Sequence, residues 1–347
     1  MRRLWTIVTT ILMLILGICA FSPATANAAT NTNQSQVKFS VTPQIPDNQI
    51  NKNVNFYDLK VTPGSTQDIK FDIKNSDSKE HTFLVEVNKA TTNANGIVDY
   101  SKHGLKKDPS TKYDIESMFP EPQKYTVQAN STETITLPLN APKKDFKGMI
   151  LGGIRIVQED TKAPKNTPGK KFSIKNIYSY VLAVQIQQNT NAVNPTMKQI
   201  KAGLSTYNNG PDVAADLENT SPTLINQASI NSYVTPQGST KKVLQLSKKN
   251  LQFAPNSNFE FPVNYPNQSL KPGKYTMRVN VSGDNGIKTW NFTKNFTVTR
   301  KNAKGLNKVA TAKKPNYTLF ILAAILIALL IIGLLIWNFK LQRRNRR

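Results

Sequence analysis

Residues 68–88 read Asp68-Ile-Lys-Phe-Asp-Ile-Lys-Asn75, then Ser-Asp-Ser-Lys-Glu80, then His81-Thr-Phe-Leu-Val-Glu-Val-Asn88. Ile69, Phe71 and Ile73 alternate with polar or charged residues, and Phe83, Val85 and Val87 resume the alternation after a polar turn. Side chains of a strand point to opposite faces in turn, so each run presents one apolar face, and the pair reads as two strands and a connection. Residues 37–41 and 132–139 repeat the pattern, and 149–157 is a denser apolar run. Thr62-Pro63-Gly64-Ser65, Asn75-Ser-Asp-Ser78 and Asn95-Gly96 supply the turn chemistry between runs. Short strands at this spacing, with no helical period, predict an all-β, antiparallel sandwich.

A polar, Pro-containing stretch around residues 158–171 interrupts the strands and reads as a linker or exposed inter-domain loop. Strands resume at 177–187, 198–207, 213–218, 229–235 and 259–263, with a final pair at 274–281 and 287–298, and they predict a second sandwich. Ser282-Gly-Asp-Asn-Gly286 fits a hairpin loop between the last two. The insert from Ala90 to Gln123 breaks the pattern and carries Tyr100, His103, Tyr113, Met118 and Phe119. Long connections are often functional. Tyr100, His103, Tyr113 and Phe119 are the candidate ligand- or partner-binding residues, with rings that stack on sugars or anchor a protein. The alternative is that the insert folds back and seals one end of the sandwich.

The two ends of the chain carry apolar segments of different kinds. Arg2-Arg3, an apolar run from Ile7 to Ala20 and Ala26-Asn27-Ala28 form the charged, apolar and cleavage regions of a secretory signal peptide. Tyr317 to Trp337 is uncharged; its 21 residues cover roughly 31 Å as a helix, enough for a bilayer core. Tyr317 and Trp337 sit at its edges, and Lys340, Arg343, Arg344, Arg346 and Arg347 follow. The expected arrangement is a single-pass type I membrane protein whose middle faces outward.

Cys19 is the only cysteine and lies in the signal segment, so the exported part has no disulfides. Cysteine-free extracellular sandwiches suggest a Gram-positive bacterium. Setting aside Arg2, Arg3 and the five basic tail residues leaves 38 Lys and Arg against all 21 acids, a balance of +17. Such a surface attracts polyanions; the export signal excludes nucleic acid as a partner. Catalytic groups are scarce: His81 and His103 are the only histidines, and no metal, cofactor or nucleophile constellation emerges. The reading is a binding protein, not an enzyme.

Several strings carry a resemblance. They are Phe39-Ser-Val-Thr-Pro43, Phe56-Tyr-Asp-Leu-Lys-Val-Thr-Pro63-Gly64, Ile73-Lys-Asn75, Leu137-Pro138-Leu, Asp145-Phe-Lys-Gly148 and Ile150-Leu-Gly-Gly-Ile154. Further along come Asn176-Ile-Tyr-Ser-Tyr180-Val, Phe253-Ala-Pro-Asn-Ser-Asn-Phe259 and Leu270-Lys-Pro-Gly-Lys-Tyr275. In this order, from about Val37 to the C-terminus, the chain resembles the WxL-interacting proteins of Gram-positive bacteria. The resemblance implies two immunoglobulin-like domains in tandem, the first binding peptidoglycan and the second a host partner. It also implies action with WxL-domain surface proteins, and host extracellular-matrix proteins are a further class of partner. Trp5, Trp290 and Trp337 begin no Trp-x-Leu triplet, so the chain fits the partner and not the WxL protein itself.

The expected organisation is a signal peptide (1–28), a disordered start (29–36), a peptidoglycan-binding domain (37–160) and a linker (161–172). A host- or partner-binding domain (173–299), a basic stalk (300–316), a transmembrane helix (317–337) and a basic cytoplasmic tail (338–347) complete it. The expected function is a membrane-anchored surface adaptor or adhesin; the alternative is a polyanion-binding wall spacer that holds teichoic acid by charge. The motif residues themselves read as structural: Pro63-Gly64 and Pro272-Gly273 as turns, Gly152-Gly153 as a bulge or a close backbone approach, and 254–258 as an inter-strand corner.

Overall fold

The computed structural model describes residues 37–159, 177–205, 212–263, 270–310 and 318–344. The signal segment, the linker at 161–172 and the start at 29–36 lie outside them. The described residues are mostly β.

The first sandwich packs two sheets. One has the order β1 (Phe39–Gln44), β3 (Thr66–Asn75), β8 (Thr132–Asn140). The other runs β2 (Tyr57–Lys60), β10 (Ser179–Gln187), β9 (Met149–Gln158), β4 (His81–Lys89), β7 (Gln123–Val127). The alternation at 68–88 does its expected work: Ile69, Phe71, Ile73, Phe83, Val85 and Val87 are all buried in one core with Ile135, Leu137 and Leu139. Each such side chain contributes roughly 1.5–3 kcal/mol of burial free energy. A two-residue hairpin, β5 (Thr91–Thr92) with β6 (Val98–Asp99), projects from the insert.

The second sandwich packs β11 (Met197–Ser205), β12 (Asp212–Asn219) and β15 (Ser257–Pro262) against a four-stranded sheet. That sheet has the order β14 (Leu244–Phe253), β13 (Ile225–Pro236), β16 (Gly273–Gly283), β17 (Lys288–Val298). Asp284–Gly286 turns the chain from β16 to β17 at the hairpin read from the sequence. A separate core, with Phe253, Phe261, Val213 and Met277 fully buried, holds these sheets together.

Each sandwich has the same corner. Asn75 is fully buried at the end of β3; its Nδ2 donates to the carbonyls of Lys79 (2.7 Å), Gln128 (3.0 Å) and Val127 (3.1 Å), and its Oδ1 accepts from the Asp77 amide. Asn219 is fully buried at the end of β12; its Nδ2 reaches the carbonyls of Thr223 (2.8 Å), Ala254 (3.0 Å) and Phe253 (3.4 Å), and its Oδ1 accepts from Ser221. One side chain thereby satisfies carbonyls that burial would otherwise leave unpaired.

Three expectations need correction. Residues 177–187, expected to pack with the second sandwich, join the first one's sheet. β10 pairs antiparallel with β9 and parallel with β2, and Leu182, Val184 and Ile186 fill the first core. The first sandwich is thus mixed and not purely antiparallel, and its last strand lies beyond the linker. The basic stretch expected as a stalk is a helix, α1 (Arg300–Ala310), over most of its length. Thr299 accepts at its N-terminus from the Asn302 amide, and Ala303 and Leu306 are buried in the second core, so the helix closes that sandwich.

The last helix, α2, spans Thr318–Arg344, past the expected end at Trp337. Its described apolar side chains are exposed, Leu334 at 66% and Trp337 at 68% among them. The side chains of several of its positions are outside the described set, and over the described residues alone no helix is long and apolar enough to cross a membrane.

Candidate functional site

The insert leaves β4 at Lys89 and first crosses the outer face of the five-stranded sheet. There Arg155 bonds Glu86 (2.7 Å), Asn88 donates to Glu86 (3.1 Å) and to the Tyr100 carbonyl (2.8 Å), and His103 Nδ1 donates to Asn88 Oδ1 (2.9 Å) or the Val87 carbonyl (3.1 Å). The Tyr100 ring lies on Gly153, where an added Cβ would come within 3.0 Å of it. Burial pushes the Tyr100 phenol up to about 12. A Cβ at Gly152 would meet the Asn88 carbonyl at 2.6 Å and Ile115 at 2.8 Å. The pairing of β9 with β10 runs through both glycines without a shift, so the pair serves close approach and not a bulge.

Beyond His103 the insert turns inward. Lys89 Nζ sits between Asp114 (2.7 Å) and Glu116 (3.4 Å), and Asp114 caps the 3-10 turn Ile115–Met118 through the Glu116 amide. Ile115, Met118 and Phe119 are buried in the first core, and Tyr113 packs edge-on against Phe146 with centroids 5.8 Å apart. The aromatic candidates therefore separate. Phe119, 7% exposed, is a core residue; Tyr100 is held against the sheet; His103 is exposed; Tyr113 is half-buried. They do not form one surface, and the insert mainly folds back onto the sandwich.

It also reaches the other sandwich. Thr92 Oγ1 accepts from the Ala254 amide (2.9 Å) and lies 3.0 Å from Ser257 Oγ. Thr111 donates to the Asn256 carbonyl (3.1 Å), and Asn256 Nδ2 donates to the Ser110 carbonyl (3.0 Å) and to Ser110 Oγ (3.1 Å). Asn256 holds φ 47°, a left-handed conformation that Asn tolerates better than most residues. Backbone bonds join Gln252 N to Gly96 O (2.8 Å) and Met149 N to Pro222 O (2.8 Å). The 254–258 motif is thus a corner of the second sandwich, as its sequence suggests, and also the dock for the insert.

Between the sandwiches, beside this dock, lies a cleft of about 1080 Å³. Its apolar lining includes Phe146, Met149 and Leu151 from the first sandwich and Phe259 from the second. Lys102, Lys106, Lys112 and Lys147 are on its walls, with Asp99, Asp108, Asp145 and Glu260. Of the four sequence candidates only Tyr113 lines it. Gln188, just after β10, and Asn258 line it too, and neither stood out in the sequence because the surface exists only once the two sandwiches meet. No group of three or more His, Cys, Asp or Glu side chains among the described residues is placed to hold a metal.

A cleft lined by apolar and charged side chains between two sandwiches is where a ligand would be expected first. Two family models match the chain: the WxL Interacting Protein peptidoglycan binding domain over residues 39–158, and the WxL Interacting Protein host binding domain over residues 169–308. Together they cover most of it, and the chain belongs to the WxL-interacting protein family. Both are families of binding domains, not enzymes, and they support a cell-surface binding protein. The first match ends before β10, so the family boundary follows the chain while the sheet borrows a strand from beyond it.

The comparison with curated proteins gives no match. Among solved structures, the Pseudomonas aeruginosa CupB2 chaperone is 12% identical over 68% of this chain and 96% of its own, with a TM-score of 0.26. The YadV chaperone is 11% identical over 75% and 100%, with a TM-score of 0.28. The E. coli chaperone DraB is 14% identical over 75% and 98%, with a TM-score of 0.25. At these scores the likenesses carry no argument.

Proposed function

We propose that this protein is an adaptor on the outer surface of a Gram-positive cell, fixed by α2 and joining the wall to WxL-domain surface proteins. The observation that carries the reading is the order of the two matched domains, peptidoglycan-binding then host-binding, ahead of an apolar C-terminal run. Residues 317–337 have the length and the absence of charge that a bilayer core demands, and α2 leaves its described Leu and Ile side chains exposed. The basic residues after Trp337 then stay inside as a tail, and the signal segment delivers everything before α2 to the outside. The two sandwiches are taken as immunoglobulin-like, and host extracellular-matrix proteins as further partners of the second.

The test is co-sedimentation of the full-length chain, in mild detergent, with peptidoglycan stripped of teichoic acid, together with capture of a purified WxL-domain protein. Retention at high salt plus capture is the expected result; failure of both refutes the adaptor.

The +17 balance supports a second reading, a wall spacer that holds teichoic acid by charge without specific partners. Exposed ion pairs are screened within roughly 8 Å at physiological salt, so retention by charge alone disappears as salt rises or when teichoic acid is removed.

A further inference from the structure

We propose that the cleft between the two sandwiches is the wall-ligand site and that it takes the carboxylate-ended, alanine-containing stem peptide of peptidoglycan, not the glycan strand. The proposal rests on the wall-binding reading above and adds where, and through which part of the polymer, that binding occurs.

The charges of the cleft are unequal in what they are free to do. Four of its acids are engaged within the protein, while Asp145 is exposed and only its backbone carbonyl accepts, from Lys112 Nζ (3.0 Å). Asp99 Oδ1 accepts from the Ser101 amide (2.9 Å), Asp108 Oδ1 takes both the amide and the hydroxyl of Ser110 (2.8 and 2.7 Å), Asp114 holds Lys89, and Glu260 accepts from Ser205. Lys106 and Lys147, in contrast, stand exposed at the rim. With four of the five carboxylates bonded, the exposed Lys106 and Lys147 offer ammonium groups to an incoming anion.

A second, independent feature points the same way. Gln188 uses its Oε1 to accept from the Phe146 amide (2.9 Å), while its Nε2, buried on the cleft wall, has no acceptor among the described residues. Buried donors are nearly always paired, and this one belongs to a residue that lines the cleft. The half-buried Met149 and Leu151, on the same face of β9, offer room for methyl groups among the lining. Ammonium rim, amide donor and aliphatic lining together match a short peptide with small apolar side chains and a free carboxylate. The site needs both sandwiches, since Asn258 and Phe259 line it from the second.

The experiment titrates the full-length chain, in mild detergent, with the tetrapeptide alanyl-γ-glutamyl-lysyl-alanine and separately with an N-acetylglucosamine oligomer. Retention on stripped peptidoglycan is measured in parallel. The expected result is saturable binding of the tetrapeptide, weakened about tenfold or more by Lys106→Glu with Lys147→Glu, and unchanged by Lys249→Glu on β14. Asn258→Trp, which fills the cleft from the second sandwich, should abolish it; if that variant does not fold, the double charge reversal decides alone. Retention on peptidoglycan with no tetrapeptide binding, or with binding indifferent to these variants, overturns the cleft while the wall-binding reading stands. Binding of the sugar oligomer in place of the tetrapeptide overturns the ligand class. Tetrapeptide binding without retention on peptidoglycan supports the site and removes the wall-binding reading.

Discussion

The two sandwiches share a corner but use it differently. Asn75 and Asn219 each bond three carbonyls at the end of a core strand, and each turns its Oδ1 back onto its own turn. At Asn75 the work is local: the strands it ties belong to the first sandwich alone. At Asn219 one carbonyl it holds is that of Ala254, whose amide donates to Thr92 in the insert of the other sandwich. The same device, repeated, closes one domain and in the other presents a dock. A corner held by one buried amide is rigid enough to be approached by a second surface, and that is what the insert does.

Asn75→Ala and Asn219→Ala should each cost about 3 kcal/mol, because truncation strands several buried carbonyls at once. Denaturant unfolding should find the two losses alike, with Asn219→Ala alone also speeding amide exchange in the docked insert. Unequal stability losses would break the equivalence of the corners.

Gly148→Ala comes next. Gly148 has φ +76°, and an added Cβ would lie 2.2 Å from the Pro222 carbonyl, which the adjacent Met149 amide bonds. The change should cost about 2 kcal/mol, part of it from backbone strain. A melting curve that moves the two domains apart would sharpen the distinction between local and shared contacts.

Thr92→Val preserves shape and removes the acceptor for the Ala254 amide and the partner of Ser257 Oγ. A loss of about 1–2 kcal/mol is expected. No change would mean that the dock does not depend on this buried contact.

The smallest effect belongs to Asp216 on β12, where burial raises the carboxyl above the usual 3.8; Lys201 opposes the shift, and Glu260, Glu218 and Asp108 add to it. The folded chain then holds this proton in a pH range where the unfolded chain has released it. The contribution of the group to stability therefore falls as pH rises through its folded value. Asp216→Asn should raise the melting temperature at pH 7, and the gain should shrink as the pH falls toward 3.8. A gain that instead grows in acid would contradict the sign.

The sequence made the sandwiches legible because a buried face on a strand imposes period two: Ile69, Phe71 and Ile73 announce themselves. It did not reveal β14, where Lys248-Lys249-Asn250 breaks the alternation; there Asn250 takes φ 58° and the pairing with β13 shifts register. The allegiance of β10 was hidden too, since alternation says that a face is buried but not against which core. The insert was legible as an exception; of its aromatics, Phe119 packs into the first core and the Tyr100 ring lies on Gly153. The cleft had no signature. Lys106, Gln188 and Asn258 are far apart in the chain and ordinary one by one, and only the docked arrangement places them around one space.

The distance between the sandwiches reports on this docking. Spin labels at Glu133→Cys on β8 and Lys249→Cys on β14, both exposed positions, can be introduced in a Cys19→Ser background of the full-length chain. Pulsed dipolar spectroscopy should return one narrow distance distribution that broadens on Gly148→Ala. A broad distribution in the otherwise unaltered chain would contradict the account, because sandwiches that move independently could not hold the cleft.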